Sequence, residues 1–236
     1  MMKQSEGNTM REKQRSAFTM IELVMVIVVM GILAALALPR MERDIRQEAA
    51  DNILSAIRFA QHMALMDDVT DPSRSTWQRK YWRFGVRTCL ASEGDVFYYV
   101  ASDKNMQGNI DQNEAAIDPS NSKRMLGNAG SSCRQGAQSK DISPQIYLSR
   151  LYGIKNTNMF LQCGGGGPDA ARYVGFDYKG RPHVGFSNAD ANVSWNAPMT
   201  NDCNLTFQFD DSNIPNLTIM IQKETGYAYI YDQNGS

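Results

Sequence analysis

The stretch Phe18-Thr19-Met20-Ile21-Glu22-Leu23-Val24-Met25-Val26-Ile27-Val28-Val29-Met30-Gly31-Ile32-Leu33-Ala34-Ala35-Leu36-Ala37-Leu38 decides how this chain is organised. Its 21 residues carry a single charge, on Glu22. A helix needs about 20 mostly apolar residues to cross a bilayer, so the run is long enough to span one. A lone carboxylate inside such a segment costs roughly 2.5–3.5 kcal/mol on insertion scales, so its presence points to a function and a partner. Upstream, residues 1–17 are polar and hold Lys3, Arg11, Lys13 and Arg15 against Glu6 and Glu12. Lys and Arg excess stays on the cytoplasmic side, which predicts a single pass with the amino terminus inside and the remainder outside. The outward flank, with Arg40, Arg43 and Arg46 against Glu42, Asp44 and Glu48, is nearly neutral. A cleaved secretory signal has a shorter apolar core of about 7–15 residues and an Ala-x-Ala-like exit. Here the run is longer, and Ala37-Leu38-Pro39 places a proline at the exit. A plain signal anchor has no use for Glu22.

The segment Ser16-Ala17-Phe18-Thr19-Met20-Ile21-Glu22 resembles the type IV prepilin signature. In that family a leader peptidase cuts just before a Phe and methylates the new amino terminus. The resemblance implies cleavage between Ala17 and Phe18, with N-methylation of Phe18. Glu22 then stands fifth in the mature chain and Pro39 twenty-second, where the family often has a proline. The family prefers Gly before the cut, and this chain has Ala17, which is small enough to be accepted. The resemblance also implies a role for Glu22 in assembly. Its carboxylate would pair with the methylated amino terminus of an adjacent subunit, because a buried charge beside its opposite is far better than either alone.

Beyond the span, Met41, Ile45, Ala49, Ile53, Ile57, Ala60 and Ala64 recur at helical spacing. Leu54, Phe59, Met63 and Leu65 widen the same face, which predicts an amphipathic helix to about residue 68. Asp71-Pro72 ends it. A helix from Thr19 to Asp67 would be about 75 Å long, and Pro39, lacking an N–H, is expected to kink it. The alternating or short apolar runs at 81–86, 96–100, 173–177, 184–186, 205–209, 217–221 and 227–230 predict strands. Glycine-bearing turns at 178–182 and 222–226 predict hairpins. The expected fold class is α+β: a long N-terminal helix, half in the membrane and half amphipathic, packed on an antiparallel sheet head. The expected divisions are a leader at 1–17, a transmembrane helix at 18–38, a stalk helix at 39–68, and a β-rich head at 69–236. Residues 118–170, rich in Ser, Gly and Asn, are expected to be a loop insertion.

Composition narrows the function. The net charge of −1 offers no electrostatic footprint for nucleic acid. A basic and aromatic cluster, Trp77, Arg79, Lys80, Tyr81, Trp82 and Arg83, could touch single-stranded DNA; it also reads simply as a first strand with a charged outer face. Cys89, Cys133, Cys163 and Cys203 lie in the outward part and suggest two disulfides. Three pairings are possible, and Cys89 with Cys133 and Cys163 with Cys203 is the guess. No Cys-x-x-Cys or His-paired spacing supports zinc. His62 falls in the stalk and His183 beside a hairpin turn, and both are expected at the surface. Gly164 to Gly167 lack the Lys-Ser/Thr of a phosphate loop and precede Pro168. No G-x-S-x-G or HExxH motif suggests an enzyme.

One candidate ion site remains. Residues 103–114 have the spacing of a twelve-residue calcium loop, with Asp103, Asn105, Gln107, Asp111 and Glu114 at oxygen positions, Gly108 at the sixth and Asn109 between. The alternative is a polar hairpin loop turning at Gly108. Calcium is thus the one cofactor the sequence offers.

The C-terminal order resembles the GspH/FimT group of minor pseudopilins and minor pilins, through Phe176-Asp177-Tyr178-Lys179-Gly180-Arg181 and the hairpin ending Lys223-Glu224-Thr225-Gly226-Tyr227. In the stalk, Ala60-Gln61-His62-Met63-Ala64-Leu65 is similar to a segment that usually has Arg where Gln61 stands. The resemblance implies a non-enzymatic subunit in the bacterial inner membrane with a periplasmic head. Its partners would be a prepilin peptidase, other pilin or pseudopilin subunits and an inner-membrane assembly platform. The expected role is that of a minor pseudopilin of a type II secretion system. The alternatives are a minor pilin of a type IV pilus, serving adhesion, twitching or DNA uptake, and a membrane-anchored periplasmic enzyme.

Overall fold

Helix α1 runs from Met20 to Met66. The computed structural model describes residues 19–74, 76–89, 95–127, 139–155, 173–186 and 198–231, and only the backbone of residues 35–44. The chain divides into two compact units, Met1–Met41 and Glu42–Ser236. In the first, every described residue from Thr19 to Ala34 is exposed, including Met20, Ile21, Leu23 and Val24. Among the described residues no helix is long and apolar enough to cross a membrane. The side-chain description stops at Ala34, whereas the apolar run of the sequence continues to Leu38.

In the second unit the helix turns one face inward. Ala49, Ala50, Ile53, Leu54, Ala56, Ile57, Ala60 and Ala64 are buried, at the spacing the sequence predicts. They share one apolar core with residues of two four-stranded sheets. One sheet has the order β2-β1-β4-β5, built from β1 (Trp82–Thr88), β2 (Val96–Ala101), β4 (Tyr173–Phe176) and β5 (Pro182–His183). The other has the order β3-β6-β7-β8, built from β3 (Ile154–Lys155), β6 (Cys203–Phe209), β7 (Leu217–Ile221) and β8 (Ala228–Ile230). All pairings are antiparallel, with Phe84 opposite Val100 and Val174, and Leu205 opposite Ile219. The α+β arrangement of helix followed by antiparallel sheet is therefore present. The second arm of the first hairpin sits at Pro182–His183, just before the expected 184–186.

The two sheets bury their faces differently. In β6 and β7 buried residues alternate with half-exposed ones, so one face meets the core and the other meets solvent. Strand β2 is buried on both faces. Its second cover comes from residues expected to form a loop insertion. Met125, Leu126, Ile142, Ile146, Tyr147 and Leu148 are buried there, and the Tyr147 ring lies 6.0 Å from that of Phe97. Within that range, Leu148–Tyr152 form helix α2, which packs on β2, and β3 follows at once to pair with β6. The segment stitches one sheet to the other, so its described parts correct the loop expectation. Local signals mark it: Ser143 caps the turn by accepting from the Gln145 N–H, Pro144 follows, and Gly153 closes α2 at φ 66°.

A single helix residue docks one turn of each sheet. Gln61 Nε2 donates to the carbonyl of Gly180, in the β4–β5 turn, and to that of Thr225, in the β7–β8 turn, each at 2.9 Å. The crossing is tight. A Cβ at Gly226, whose φ is +68°, would meet the Gly180 carbonyl oxygen at 2.5 Å. Nearby, Arg58 donates to the Ala228 carbonyl at 3.1 Å and Trp82 Nε1 to Asp67 Oδ2 at 2.9 Å. Gln61→Ala should remove both turn contacts and cost about 1–2 kcal/mol, and Gly226→Ala should cost more because it adds backbone strain. Denaturant unfolding of the full chain in detergent tests this; an unchanged midpoint for Gln61→Ala refutes the clamp.

Candidate functional site

The N-terminal motif is the first candidate. Ala17 and Phe18 lie outside the described residues. The helix starts beside them, and the Glu22 N–H donates to the Thr19 carbonyl at 3.1 Å and to its hydroxyl at 3.4 Å. Glu22 is thus in the first turn, exposed, on a cylinder apolar all round. Among the described residues no cation pairs with its carboxylate. A helix apolar on every side has no core of its own to face, so it must meet lipid or other protein. Pro39 lies within the helical span, and its side chain is among those not described.

The calcium-like loop folds onto itself. Asp103 is fully buried, and its two oxygens accept from the N–H groups of Gln107 at 3.1 Å and Gly108 at 2.8 Å. The two oxygens of Glu114 accept from the N–H groups of Asn105 and Asp111, each at 2.9 Å. Asp111 caps the short turn Gln112–Glu114 in a reciprocal box with Glu114. The Asn105 carbonyl oxygen atom Oδ1 is taken by Gln107 N–H, and Asn109 and Asn105 donate to Asp111. The carboxylates serve backbone amides, and among the described residues no group of three or more His, Cys, Asp or Glu is placed to hold a metal ion. As folded, the loop is a self-capped turn at Gly108, φ 90°, in which each carboxylate oxygen that accepts one N–H keeps a second lone pair.

The basic and aromatic cluster is not a surface. Trp77–Lys80 form a 3-10 turn, and Gln78, Arg79 and Arg83 are buried. Arg79 Nη1 donates to the Met106 carbonyl at 2.7 Å. Arg83, 1% exposed, lies between the rings of Tyr173 and Phe186, with its guanidinium carbon 5.3 and 4.8 Å from their centroids. Burial pulls its pKa below the usual arginine value. Two of the three basic residues that would contact DNA are therefore inside, which removes the patch.

His183 is also inside, against the surface position expected for it. Its Nε2 lies 3.3 Å from Asp177 Oδ2 and its ring packs 4.9 Å from that of Tyr81. Asp177 is buried, and its carboxylate accepts from the N–H groups of Lys179 and Arg181, both at 2.9 Å, and from the Arg181 guanidinium at 2.8 Å. Burial alone would raise its pKa, but the hydrogen bonds from His183 and Arg181 outweigh it and bring it down to about 2. Burial, helped by Asp177, pushes the Tyr81 hydroxyl up to about 12. The group locks the β4–β5 turn that Gln61 holds. It is anchored chemistry with no nucleophile, and His62 stands apart and exposed on the stalk.

Cys89 and Cys203 are both buried and both disulfide-bonded. Cys133 and Cys163 lie outside the described residues, as do Gly164 to Gly167.

A lowered carboxyl pKa stabilises the fold above its ordinary value of 3.8, and that stability is lost as the pH falls towards about 2. Asp177→Asn should therefore cost on the order of 2 kcal/mol near neutral pH and flatten the acid limb of the stability curve. Denaturation midpoints across that acid range, compared between the two proteins, check it; parallel acid limbs would count against the lock.

A profile of the prokaryotic N-terminal methylation motif matches residues 13–38. No curated protein and no solved structure matches the chain. The motif implies processing by a prepilin peptidase and assembly with other pilin subunits, and suggests membrane anchoring through the N-terminal helix. The chain carries the prepilin-type N-terminal methylation motif at residues 13–38 and, with its helix followed by antiparallel sheets, is consistent with a type IV prepilin-like protein.

Proposed function

We propose that the protein is a structural minor pseudopilin of a type II secretion system, processed by a prepilin peptidase and assembled into a short periplasmic pseudopilus. The methylation motif over residues 13–38 is the observation that carries this reading. Cleavage before Phe18 creates a cation, and Glu22, four residues on, supplies the matching carboxylate for a neighbouring subunit. In a low dielectric that pair is worth far more than in water, so processing and assembly become one linked event. Pro39 would bend the helix by leaving one carbonyl without its N–H. The helix lies in the inner membrane, with the amino terminus cytoplasmic and the head periplasmic, as the charge of the leader directs. Buried, bonded Cys89 and Cys203 suit that oxidising compartment. The motif is that of structural pilin-type proteins, which fits a non-enzymatic role.

The reading as a minor subunit rests on the likeness of Phe176–Arg181 and Lys223–Tyr227 to the GspH/FimT group. These two segments are the turns that Gln61 holds on the helix. A minor pilin of a type IV pilus shares every one of these features and is the second reading.

Mass spectrometry of the chain from membranes containing a prepilin peptidase should find N-methyl-Phe18 as its first residue. An intact leader would overturn the pilin class. Glu22→Ala should leave membrane insertion intact and abolish incorporation into filaments; normal incorporation would remove the role given to Glu22.

A further inference from the structure

Four cysteines allow three disulfide pairings, and the register of the strands chooses among them. Cys89 and Cys203 are both buried and both bonded. Cys89 follows β1, and its N–H donates to the Asp95 carbonyl at 2.8 Å. Asp95 bridges Lys155 on β3, and Lys155 lies opposite Gln208 on β6. Cys89 is therefore level with Gln208 and three strand spacings from it. Cys203 opens β6, five residues before Gln208. That offset alone is about 16 Å at 3.3 Å per residue, and the strands between add to it. A disulfide needs α-carbons within about 7 Å, so Cys89 and Cys203 do not bond to each other. Each is closed by Cys133 or Cys163.

Chain length decides which. Cys133 lies six residues after Gly127 and six before Ser139. Six residues span at most about 20–22 Å. Gly127 rests against the Phe97 ring, where an added Cβ would stand 3.2 Å away, and Phe97 pairs with Arg87, two residues before Cys89. Cys89 is thus well inside the reach of Cys133. Cys203 is not. Strands β2 and β6 both run antiparallel to β3, so Phe97 is level with a position two residues beyond Gln208. That level is about 23 Å along β6 from Cys203. The Ser139 end starts no nearer: Asp141 accepts from the Arg124 N–H, beside Met125, whose carbonyl accepts from the Val100 N–H still farther along β2. To meet Cys203, Cys133 would need both six-residue arms drawn straight. Cys163 has ample length, because Lys155 already lies beside β6 and Cys163 follows it by eight residues.

We infer that the head carries two disulfides, Cys89–Cys133 and Cys163–Cys203. Each forms by thiol–disulfide exchange: two thiols give up two protons and two electrons, and the disulfide of an oxidant takes them and leaves as a dithiol. The stretches after Gly127 and after Lys155 are thereby tied to the end of β1 and the start of β6. The inference needs neither cleavage before Phe18 nor a role for Glu22, so it survives or fails separately from the proposed function.

The test uses the full chain, purified in detergent from the membranes of the cells that make it. Thiols are blocked with N-ethylmaleimide, and the chain is then unfolded and digested with trypsin without reductant. The Lys and Arg positions put each cysteine on its own peptide: 88–104, 125–134, 156–172 and 180–223. Mass spectrometry should find 88–104 linked to 125–134 and 156–172 linked to 180–223. Both linked pairs should vanish on reduction, and none of the four cysteines should carry maleimide. A link between 88–104 and 180–223 overturns the inference at its first step, and one between 88–104 and 156–172 overturns it at its second. Maleimide on Cys89, Cys133, Cys163 or Cys203 in the folded chain also overturns it.

Discussion

Burial of one helix face holds the head together. Ile53, Ile57 and the alanines around them, from Ala49 to Ala64, belong to one buried apolar cluster with residues of both sheets. The alanines let backbones approach, and the isoleucines fill the space between. The second sheet depends on a single buried side: β6 and β7 alternate, and their buried residues belong to the common core. The polar contacts follow from this packing. Gln61 reaches both hairpin turns, Arg58 the Ala228 carbonyl of β8 and Asn52 the Tyr152 hydroxyl of α2, because the buried face fixes the helix at the right height.

The first unit obeys a different constraint. From Met20 to Leu33 the helix is apolar around its whole circumference, and among the described residues nothing covers it. Its stability is a matter of environment, in lipid or among other subunits, whereas that of the second unit is internal. One helix therefore carries two chemistries along its length: a uniform apolar surface first, then a stripe.

Much of this is legible in the residues themselves. The period of Ala49, Ile53, Ile57, Ala60 and Ala64 sets the buried face, and alternation in Leu205–Phe209 and Leu217–Ile221 sets the second sheet. The motif at residues 13–38 is local, so its register can be read directly. What escapes is whatever depends on the second cover of a sheet. The turn-and-helix segment around Tyr147 sits in a polar context, and its few apolar residues form no period long enough to stand out. Arg83 and His183 mislead for a related reason. Charge in a strand suggests an outer face, yet Tyr173 and Phe186 enclose one, and Asp177 and Tyr81 enclose the other. The spacing of residues 103–114 carries two readings at once, because Asp, Asn and Gly in that order serve a calcium loop and also make tight turns. Here backbone amides take one lone pair of each Asp103 and Glu114 oxygen.

The reach of Gln61 bears on how the chain is made. Its partner Thr225 is 164 residues away, and the partner of Arg58 is 170 away. Contacts so distant in sequence close late and slow the search for the native state. A ribosome adds about 5–20 residues each second. For many seconds after residues 49–64 have emerged, the last strands that cover their apolar face do not yet exist. The helix must be sheltered throughout that interval, and the head can close only once almost the whole chain has been delivered to the compartment where it folds.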